Sequence, residues 1–342
     1  VRQMDKKRSV GILATGSYTP DRVLSNFDLE KMVETSDEWI VSRTGIRERR
    51  ICSTEQASSD LAYEAAKKAL AKANISAEQL DMIIVATVTP DTMFPSTACI
   101  LQEKLGAKRA AAVDLSAACT GFLYGITTAT QFIANGFYKH ILVVGVETLS
   151  KITNYKDRNT CVLFGDGAGA AVIGEVKEGF GFQSFELGAD GSGGPLLCLP
   201  AGGSRIPASS ESVENDLHYL AMAGGEVFKF AVRVMNSATE AVLAKAGVDR
   251  ENIDLLVPHQ ANKRIIDSAV QRFGLSEEKV AINLDRYGNM SSASIPVALD
   301  EAVEAGRVKE GDNVILVGFG GGLTWGATLL KWSTTPAEGS GQ

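Results

Sequence analysis

Asp114-Leu-Ser-Ala-Ala-Cys119-Thr-Gly-Phe-Leu-Tyr-Gly125 reads as the end of a strand running directly into a helix. Ala110 to Leu115 is short and apolar, the pattern of a buried strand. From Thr120 onward, Phe122, Leu123, Ile126, Phe132 and Ile133 fall at helical spacing. Cys119 stands at the junction, with Gly121 just behind it. The unpaired N–H groups and positive dipole end of a new helix favour a thiolate there. The same N–H groups suit an oxyanion. Most buried cysteines are inert small hydrophobes, so this stretch alone leaves the nucleophilic and structural readings evenly matched.

Outward from that junction the chain alternates helices and apolar strands. Gly11 to Gly16 reads as a strand broken at Ser17 to Pro20, and Asn26 to Val33 as a polar-capped helix. Ser59 to Ala73 is an Ala-rich helix, and Asp81 to Val88 a buried strand. The stretch Leu70 to Ile84 returns as Leu243 to Val257, with Asp81 over Asp254, an offset of 173 residues. Ile141 to Gly145 lies over Val314 to Gly318 at the same offset. Two segments with one offset and one order indicate an internal duplication. The halves are residues 1–175 and 176–342. Alternating helices and strands predict a mostly parallel sheet in each half, covered by helices, and two such layers packed about a pseudo-dyad.

The duplication places a second junction at Val280 to Leu299, where Asn289 follows Cys119 by 170 residues. Cys119 and Asn289 are therefore expected to begin equivalent helices. The apolar run Leu255 to Val257 ends in Pro258-His259-Gln-Ala-Asn262, and open α/β sheets place their sites at strand carboxyl ends. Cys119, His259 and Asn289 converge from three strand ends in this reading. Asn289 also fits a simple helix cap, and a lone histidine is more often structural; His140 and His218 read that way. Gly165 to Ala170 fits a Gly-x-Gly-x-x-Ala pattern, but Ala171 onward reads as a strand, so the glycines are expected in a tight turn. The run Phe319-Gly-Gly-Gly-Leu-Thr-Trp325-Gly lets backbone approach a ligand closely.

Composition bounds the alternatives. The 342 residues are 45% hydrophobic and 22% charged, ordinary for a globular protein. No apolar run reaches membrane-span length, and no signal peptide is visible. Five scattered cysteines argue against a disulfide framework and for a reducing, cytoplasmic setting. Three histidines and no Cys-x-x-Cys leave no metal-ligand spacing. A net charge of −7 argues against nucleic acid as the main partner. Met4 reads as the native start, with Val1 to Gln3 appended, and Thr334 to Gln342 as a frayed tail.

The motifs around these residues carry a resemblance. Asp-Leu-Ser-Ala-Ala-Cys119-Thr-Gly-Phe, Pro-His259-Gln-Ala-Asn, Tyr-Gly-Asn289-Met-Ser-Ser-Ala-Ser and Phe-Gly-Gly-Gly-Leu-Thr-Trp-Gly resemble those of the bacterial β-ketoacyl-acyl-carrier-protein synthases III, in the thiolase-like superfamily. Ser36-Asp-Glu-Trp39-Ile-Val-Ser-Arg43-Thr-Gly-Ile and Met222-Ala-Gly-Gly-Glu-Val-Phe-Lys229 resemble them too. The match runs in order from Gly11 to Trp332. Gly225 and Thr120 depart from residues common in that family.

The resemblance implies a five-layered αβαβα fold, a homodimer, no cofactor, and a ping-pong condensation that starts fatty-acid synthesis. Cys119 takes an acyl group from acyl-CoA. Malonyl-acyl-carrier protein then loses CO2, and its enolate attacks the thioester. His259 and Asn289 hydrogen-bond the enolate oxygen, while the Cys119 and Gly321 N–H groups form the oxyanion hole. CoA-binding positions fall on Trp39, Arg43, Arg158, Gly224, Phe228 and Asn262. Without the resemblance, the Trp39 helix reads as an ordinary surface helix. The acyl pocket falls on Leu149, Phe164, Leu197, Leu220 and Met222, with Phe94 reaching across the dimer. Lys229, Lys263, Arg264 and Arg272 form either a patch for an acidic carrier protein or a solvated helical face. The second half holds only Cys198, in a polar loop, where degradative thiolases use a second active-site cysteine. A secondary-metabolism homologue with another acceptor and a non-catalytic carrier-protein scaffold are the alternatives.

Overall fold

The structure, a computed structural model, describes residues 8–337. The expected start at Met4, the residues ahead of it and the last five residues lie outside that range. The first half supplies β1 (Val10–Tyr18), β2 (Val23–Ser25), α1 (Asn26–Leu29), α2 (Asp37–Thr44), β3 (Glu48–Arg50), α3 (Ser58–Ala73) and β4 (Met82–Ala86). After these come α4 (Thr97–Leu105), β5 (Ala111–Leu115), α5 (Gly121–Ala134), β6 (Ile141–Thr148), α6 (Arg158–Cys161) and β7 (Asp166–Glu175). The chain crosses to a second sheet at β8 (Gly181–Ala189). It continues through β9 (Leu197–Cys198), α7 (Ser210–Glu214), β10 (Ala221–Met222), α8 (Gly224–Ala246) and β11 (Leu255–Pro258). The last elements are α9 (Lys263–Phe273), α10 (Leu284–Tyr287), α11 (Ser294–Glu304), β12 (Asn313–Gly320) and β13 (Thr324–Lys331).

The main sheets run β1-β7-β6-β4-β5 and β8-β13-β12-β11. The missing fifth position of the second sheet is held by a single parallel bridge from Leu256 to Val280. Helices α3 and α4 cover one outer face, α8 and α9 the other, and α5 and α11 lie between the sheets. This is the five-layered arrangement that the resemblance implied. The central core joins Phe122, Leu123 and Ile126 of α5 to Ile295, Ala298 and Leu299 of α11 and to both sheets. Burying each such side chain is worth ~1.5–3 kcal/mol, which makes this middle layer the heart of the molecule.

The expectation of mostly parallel sheets is corrected. β5, β4 and β6 run parallel, but β7 and β1 are antiparallel additions. In the second sheet only β11 and β12 are parallel. The turn between β12 and β13 spans only residues 321–323, too short for the crossover that a parallel pair needs. β5 is not the buried strand the apolar pattern suggested. It pairs only with β4, and Ala111 and Val113 are exposed. Gly165 to Ala170 is not a turn: from Asp166 onward it lies within β7. The tail is tied down as far as it is described, since Lys177 N–H donates to Thr335 O at 3.1 Å. The helix read over Asn26 to Val33 stops at Leu29.

The repeat is visible in detail. α5 and α11 begin at Gly121 and Ser294, 173 residues apart, each after a single 3₁₀ turn, Ala118–Thr120 and Ser291–Ala293. Each turn opens on a non-glycine residue with left-handed backbone, Ala118 at φ 47° and Ser291 at φ 45°. The counterpart of Cys119 is therefore Ser292. Asn289 lies three residues earlier, which corrects the equivalence drawn from the 170-residue spacing. Small residues surround both junctions, so the sequence pattern alone did not distinguish the two registers.

Candidate active site

Cys119, His259 and Asn289 line one cavity of about 190 Å³, together with Gly320 and Gly321. Each arrives from a different element. Cys119 sits in the 3₁₀ turn between β5 and α5, backed by Gly320. A Cβ on Gly320 would stand 2.6 Å from the Cys119 nitrogen, so only glycine lets the β12 end lie against the cysteine. The left-handed Ala118 stores ~1–3 kcal/mol of backbone strain beside the Cys119 sulfur. Thr120 N–H donates to Ala117 O at 3.2 Å and Gly121 N–H to Ala118 O, which leaves the Cys119 N–H as the donor of this turn without an acceptor in it.

The thiolate expected from helix position is not the resting state. Burial pushes the Cys119 thiol up to about 12, with the Ser291 hydroxyl opposing the rise. Desolvation of a fully buried sulfur outweighs the dipole of one helix.

His259 follows β11, and its N–H donates to Val317 O at 2.8 Å, extending the parallel β11–β12 pairing. Its ring is 1% exposed and meets Phe319 edge-on at 5.3 Å. Neither Nδ1 nor Nε2 has a hydrogen-bond partner. Burial pulls its pKa down to about 3, so the imidazole is neutral and carries one N–H to give. A buried, unpartnered ring costs several kcal/mol unless something enters to satisfy it.

Asn289 is set by its backbone: its N–H donates to Leu163 O at 2.8 Å, and its carbonyl accepts from Gly165 N–H at 3.0 Å. Gly288 precedes it at φ 63°, where a Cβ would come within 2.7 Å of Leu163 O. The Asn289 Oδ1 accepts from Ser291 N–H at 2.8 Å. That bond fixes which end of the amide is committed and leaves Nδ2 to donate. The site thus offers two neutral donors and one neutral thiol.

The acyl-pocket positions Leu149, Phe164, Leu197, Leu220 and Met222 all line this cavity. So do Gly224, Phe228 and Asn262. Phe94 does not: it is 86% exposed, beside an exposed Met93. Trp39, Arg43 and Arg158 lie outside the cavity as one cluster, with the guanidinium carbons 5.9 and 5.0 Å from the indole centroid. The Asn262 amide donates to Arg43 O at 3.0 Å, joining that cluster to the cavity mouth. Ser36 accepts from Trp39 N–H and Gly45 closes α2 at φ 82°, which orients both side chains.

The four basic positions do not form a free patch. Lys229 pairs with Glu226 at 2.9 Å and Arg272 with Glu240 at 2.8 Å, and Lys263 pairs with Asp267. Arg264 stacks on Phe228 at 5.2 Å, at the cavity mouth. His218 bonds Ser212 and His140 lies near Gln79 O, both away from the site as expected.

Sequence reasoning missed several members. Cys198, read as part of a polar loop, ends the short strand β9 and lines the cavity. Phe319, in sequence no more than the head of a glycine run, lines it too. Ser291, Val227 and Ile265 also line it. The signal for Val227 and Ile265 was present as helical spacing, but spacing does not say which buried face meets a cavity. Among the described residues no group of three or more His, Cys, Asp or Glu is placed to hold a metal, and no helix is long and apolar enough to cross a membrane.

Comparison with known proteins places this geometry. Residues 113–191 match the model described as 3-oxoacyl-[acyl-carrier-protein (ACP)] synthase III, and residues 243–332 match that of its C-terminal part. The β-ketoacyl-[acyl-carrier-protein] synthase III of Desulfitobacterium hafniense strain Y51 is 61% identical over 325 residues, 95% of this chain and 98% of that protein. The enzyme of the same name from Caldanaerobacter subterraneus is 61% identical over 330 residues, 96% and 100% of the two chains. The solved structure of β-ketoacyl-[acyl-carrier-protein] synthase III from Thermus thermophilus superposes with a TM-score of 0.88 at 51% identity, covering 95% of this chain and all of that one, 100%. Both segments that hold Cys119 and the His259–Asn289 pair fall inside matched regions, and the identity runs nearly end to end. The chain belongs to the 3-oxoacyl-[acyl-carrier-protein] synthase III family.

Proposed function

We propose that this condensing enzyme joins an acyl group from acyl-CoA to malonyl-acyl-carrier protein, in two half-reactions at one cavity, to begin fatty-acid synthesis. In the first, Cys119 sulfur attacks the thioester carbonyl, the acyl–sulfur bond of the CoA ester breaks, and the thiol proton ends on the departing CoA sulfur. Exchange of one thioester for another is close to neutral in energy, and the thiolate forms only as the attack proceeds. In the second, the malonyl carboxylate leaves as CO2 and its electron pair moves onto the thioester oxygen as an enolate. The enolate carbon attacks the acyl-Cys119 carbonyl. Collapse expels the Cys119 sulfur as thiolate, which takes a proton from solvent water, and 3-ketoacyl-carrier protein departs.

Decarboxylation requires donors at the developing enolate oxygen rather than a strong base. A histidine held neutral by burial and an asparagine whose Oδ1 is already committed meet that need. The N–H groups of Cys119 and Gly321 serve the tetrahedral oxyanion. The observation that carries this reading is His259, sealed into the cavity with both ring nitrogens unpartnered. The Trp39–Arg43–Arg158 cluster suits the adenine and phosphates of CoA through stacking and charge.

The reading extends to a homodimer and a docking face. Exposed Met93 and Phe94 and the open outer edge of β5 support an apposed second copy, with Phe94 closing the partner's acyl pocket. Arg264, stacked on the cavity-lining Phe228, and Lys229, the residue after Phe228, are the positions this reading gives to carrier-protein docking. Reversing charge at both (Lys229→Glu with Arg264→Glu) raises the apparent KM for malonyl-carrier protein several-fold, more at low salt, since exposed pairs are worth ~0.2–1 kcal/mol each. An unchanged KM removes the docking face.

The test is intact-mass spectrometry after mixing the protein with acetyl-, isobutyryl- or octanoyl-CoA. One acyl adduct per chain supports the first half-reaction. Its yield should grade with chain length, because one methylene is worth ~1–3 kcal/mol in a pocket. No adduct from any of them, in protein that also fails to release CO2 from malonyl-carrier protein, favours the scaffold reading.

A further inference from the structure

The 173-residue repeat assigns a counterpart to every part of the catalytic turn. Ser292 stands where Cys119 stands, and Glu147 stands where Gly320 stands, at the end of the equivalent strand. The first site therefore has a thiol backed by glycine, and its mirror has a buried hydroxyl backed by a carboxyl group.

Glu147 is fully buried, at 0% exposure, and no lysine, arginine or histidine among the described residues pairs with it. All its contacts are neutral groups. Oε2 accepts from the Thr89 hydroxyl at 2.7 Å, the Val88 N–H at 3.1 Å and the Thr87 hydroxyl at 3.3 Å. Oε1 lies 2.9 Å from Ser292 Oγ and shares the Val88 N–H at a longer 3.3 Å. Ser292 has a single proton and a second acceptor for it, Ala86 O at 2.8 Å. The bonds close without conflict when Oε1 carries a proton and donates to Ser292 Oγ, which donates to Ala86 O. Burial also holds this carboxyl above the usual carboxylate range, in keeping with that arrangement.

The neutral acid thus ties three pieces together: the end of β6, the Thr87–Thr89 loop that follows β4, and the Ser291–Ala293 turn. That turn holds the Asn289 amide through the Ser291 N–H, and Val88 and Ser291 both line the cavity. We propose that Glu147 is a positioning residue, a protonated carboxyl that donates to Ser292 and locks the turn aiming Asn289 Nδ2 at the enolate oxygen. This rests on the donor role proposed for Asn289. A glutamine amide reproduces the pattern, with NH2 at the Oε1 position and its carbonyl at Oε2.

The experiment compares Glu147→Gln and Glu147→Ala in the full chain. It measures Cys119 acylation by intact mass, CO2 release from malonyl-carrier protein, and backbone hydrogen exchange over residues 287–294. Glu147→Gln should stay within about twofold of wild type in all three, and Glu147→Ala should lose about tenfold or more in the kcat of decarboxylation. In Glu147→Ala the acylation rate and the KM for malonyl-carrier protein should hold, while exchange in the turn speeds up. Glutamine falling as far as alanine would overturn the idea, because a charge or a base would then be required. So would wild-type kcat and exchange in Glu147→Ala. If Glu147→Ala does not fold by circular dichroism, Ser292→Ala, which removes only the receiving hydroxyl, takes its place with the same expected split and the same overturning result. If wild type itself releases no CO2, the condensation reading fails separately. Hydrogen exchange then decides: faster in the alanine variant alone supports the lock, and equal in all three sinks it.

Discussion

Cys119→Ala carries no acyl adduct after incubation with any acyl-CoA and forms no 3-ketoacyl product, while wild type acquires one acyl group per chain. The cavity holds a second cysteine, Cys198, so the assignment is a genuine choice between two thiols. Only Cys119 sits at a helix-start turn with its own N–H unpaired, the donor proposed for the tetrahedral oxyanion, and Gly320 lies against it. Losing that support typically costs ~2.7–4 kcal/mol, so acyl transfer to Cys198 at the wild-type rate would end the assignment. The protonation state gives a second readout. With the thiol pushed up to about 12, its thiolate fraction rises about tenfold per pH unit through neutral and mildly alkaline solution. Alkylation of Cys119 in the unliganded enzyme should therefore climb from pH 6 to pH 10, ranges set by the ordinary thiol value of about 8.5, without a plateau. A plateau near neutrality would mean a thiolate already stabilised at rest, the state the helix position alone suggested.

His259→Ala and Asn289→Ala separate the two half-reactions. Both variants should still acquire the acyl group on Cys119, since neither side chain is needed for thioester exchange. Both should lose CO2 release from malonyl-carrier protein by ~10²–10³-fold, the cost of one oxyanion donor. The double variant should lose less than the product of the two, because the donors serve one oxygen. Asn289→Asp is the sharper control: it keeps the shape and the Ser291 N–H bond but replaces the free amide donor with a carboxylate oxygen. Radiolabelled or mass-resolved CO2 release after pre-acylation measures this directly. If both alanine variants lost acylation and kept decarboxylation, the roles would have to be exchanged.

The chemistry of this site was readable in the chain to different depths. Cys119 showed itself through a change of period, from a short apolar run to helical spacing, within twelve residues. His259 showed itself at the end of an apolar run, a local feature too. Asn289 was found through the repeat, but in a register three residues off. Its true partner in the duplication is Ser116, and the nucleophile's partner is Ser292, as the paired left-handed residues Ala118 and Ser291 reveal. The 173-residue offset of the flanking segments already pointed to Ser292, but small, polar composition around both turns let the 170-residue alternative stand, and backbone conformation decides between them. β5 reads as a buried strand because a run of apolar side chains looks the same whether or not a further layer of this chain covers it.

The amino-acid sequence by itself determined the strand–turn–helix units, the 173-residue repeat and the family, since these depend on periodicity, offset and motif, which are properties of neighbours along the chain. The tertiary structure alone decided protonation and polarity: a thiol rather than a thiolate at Cys119, a neutral unpartnered imidazole at His259, an uncharged role for Glu147. Those states follow from how much water and which partners surround each group. The packing of α5, α11, β6 and β12 sets that surrounding, through contacts between residues far apart in sequence.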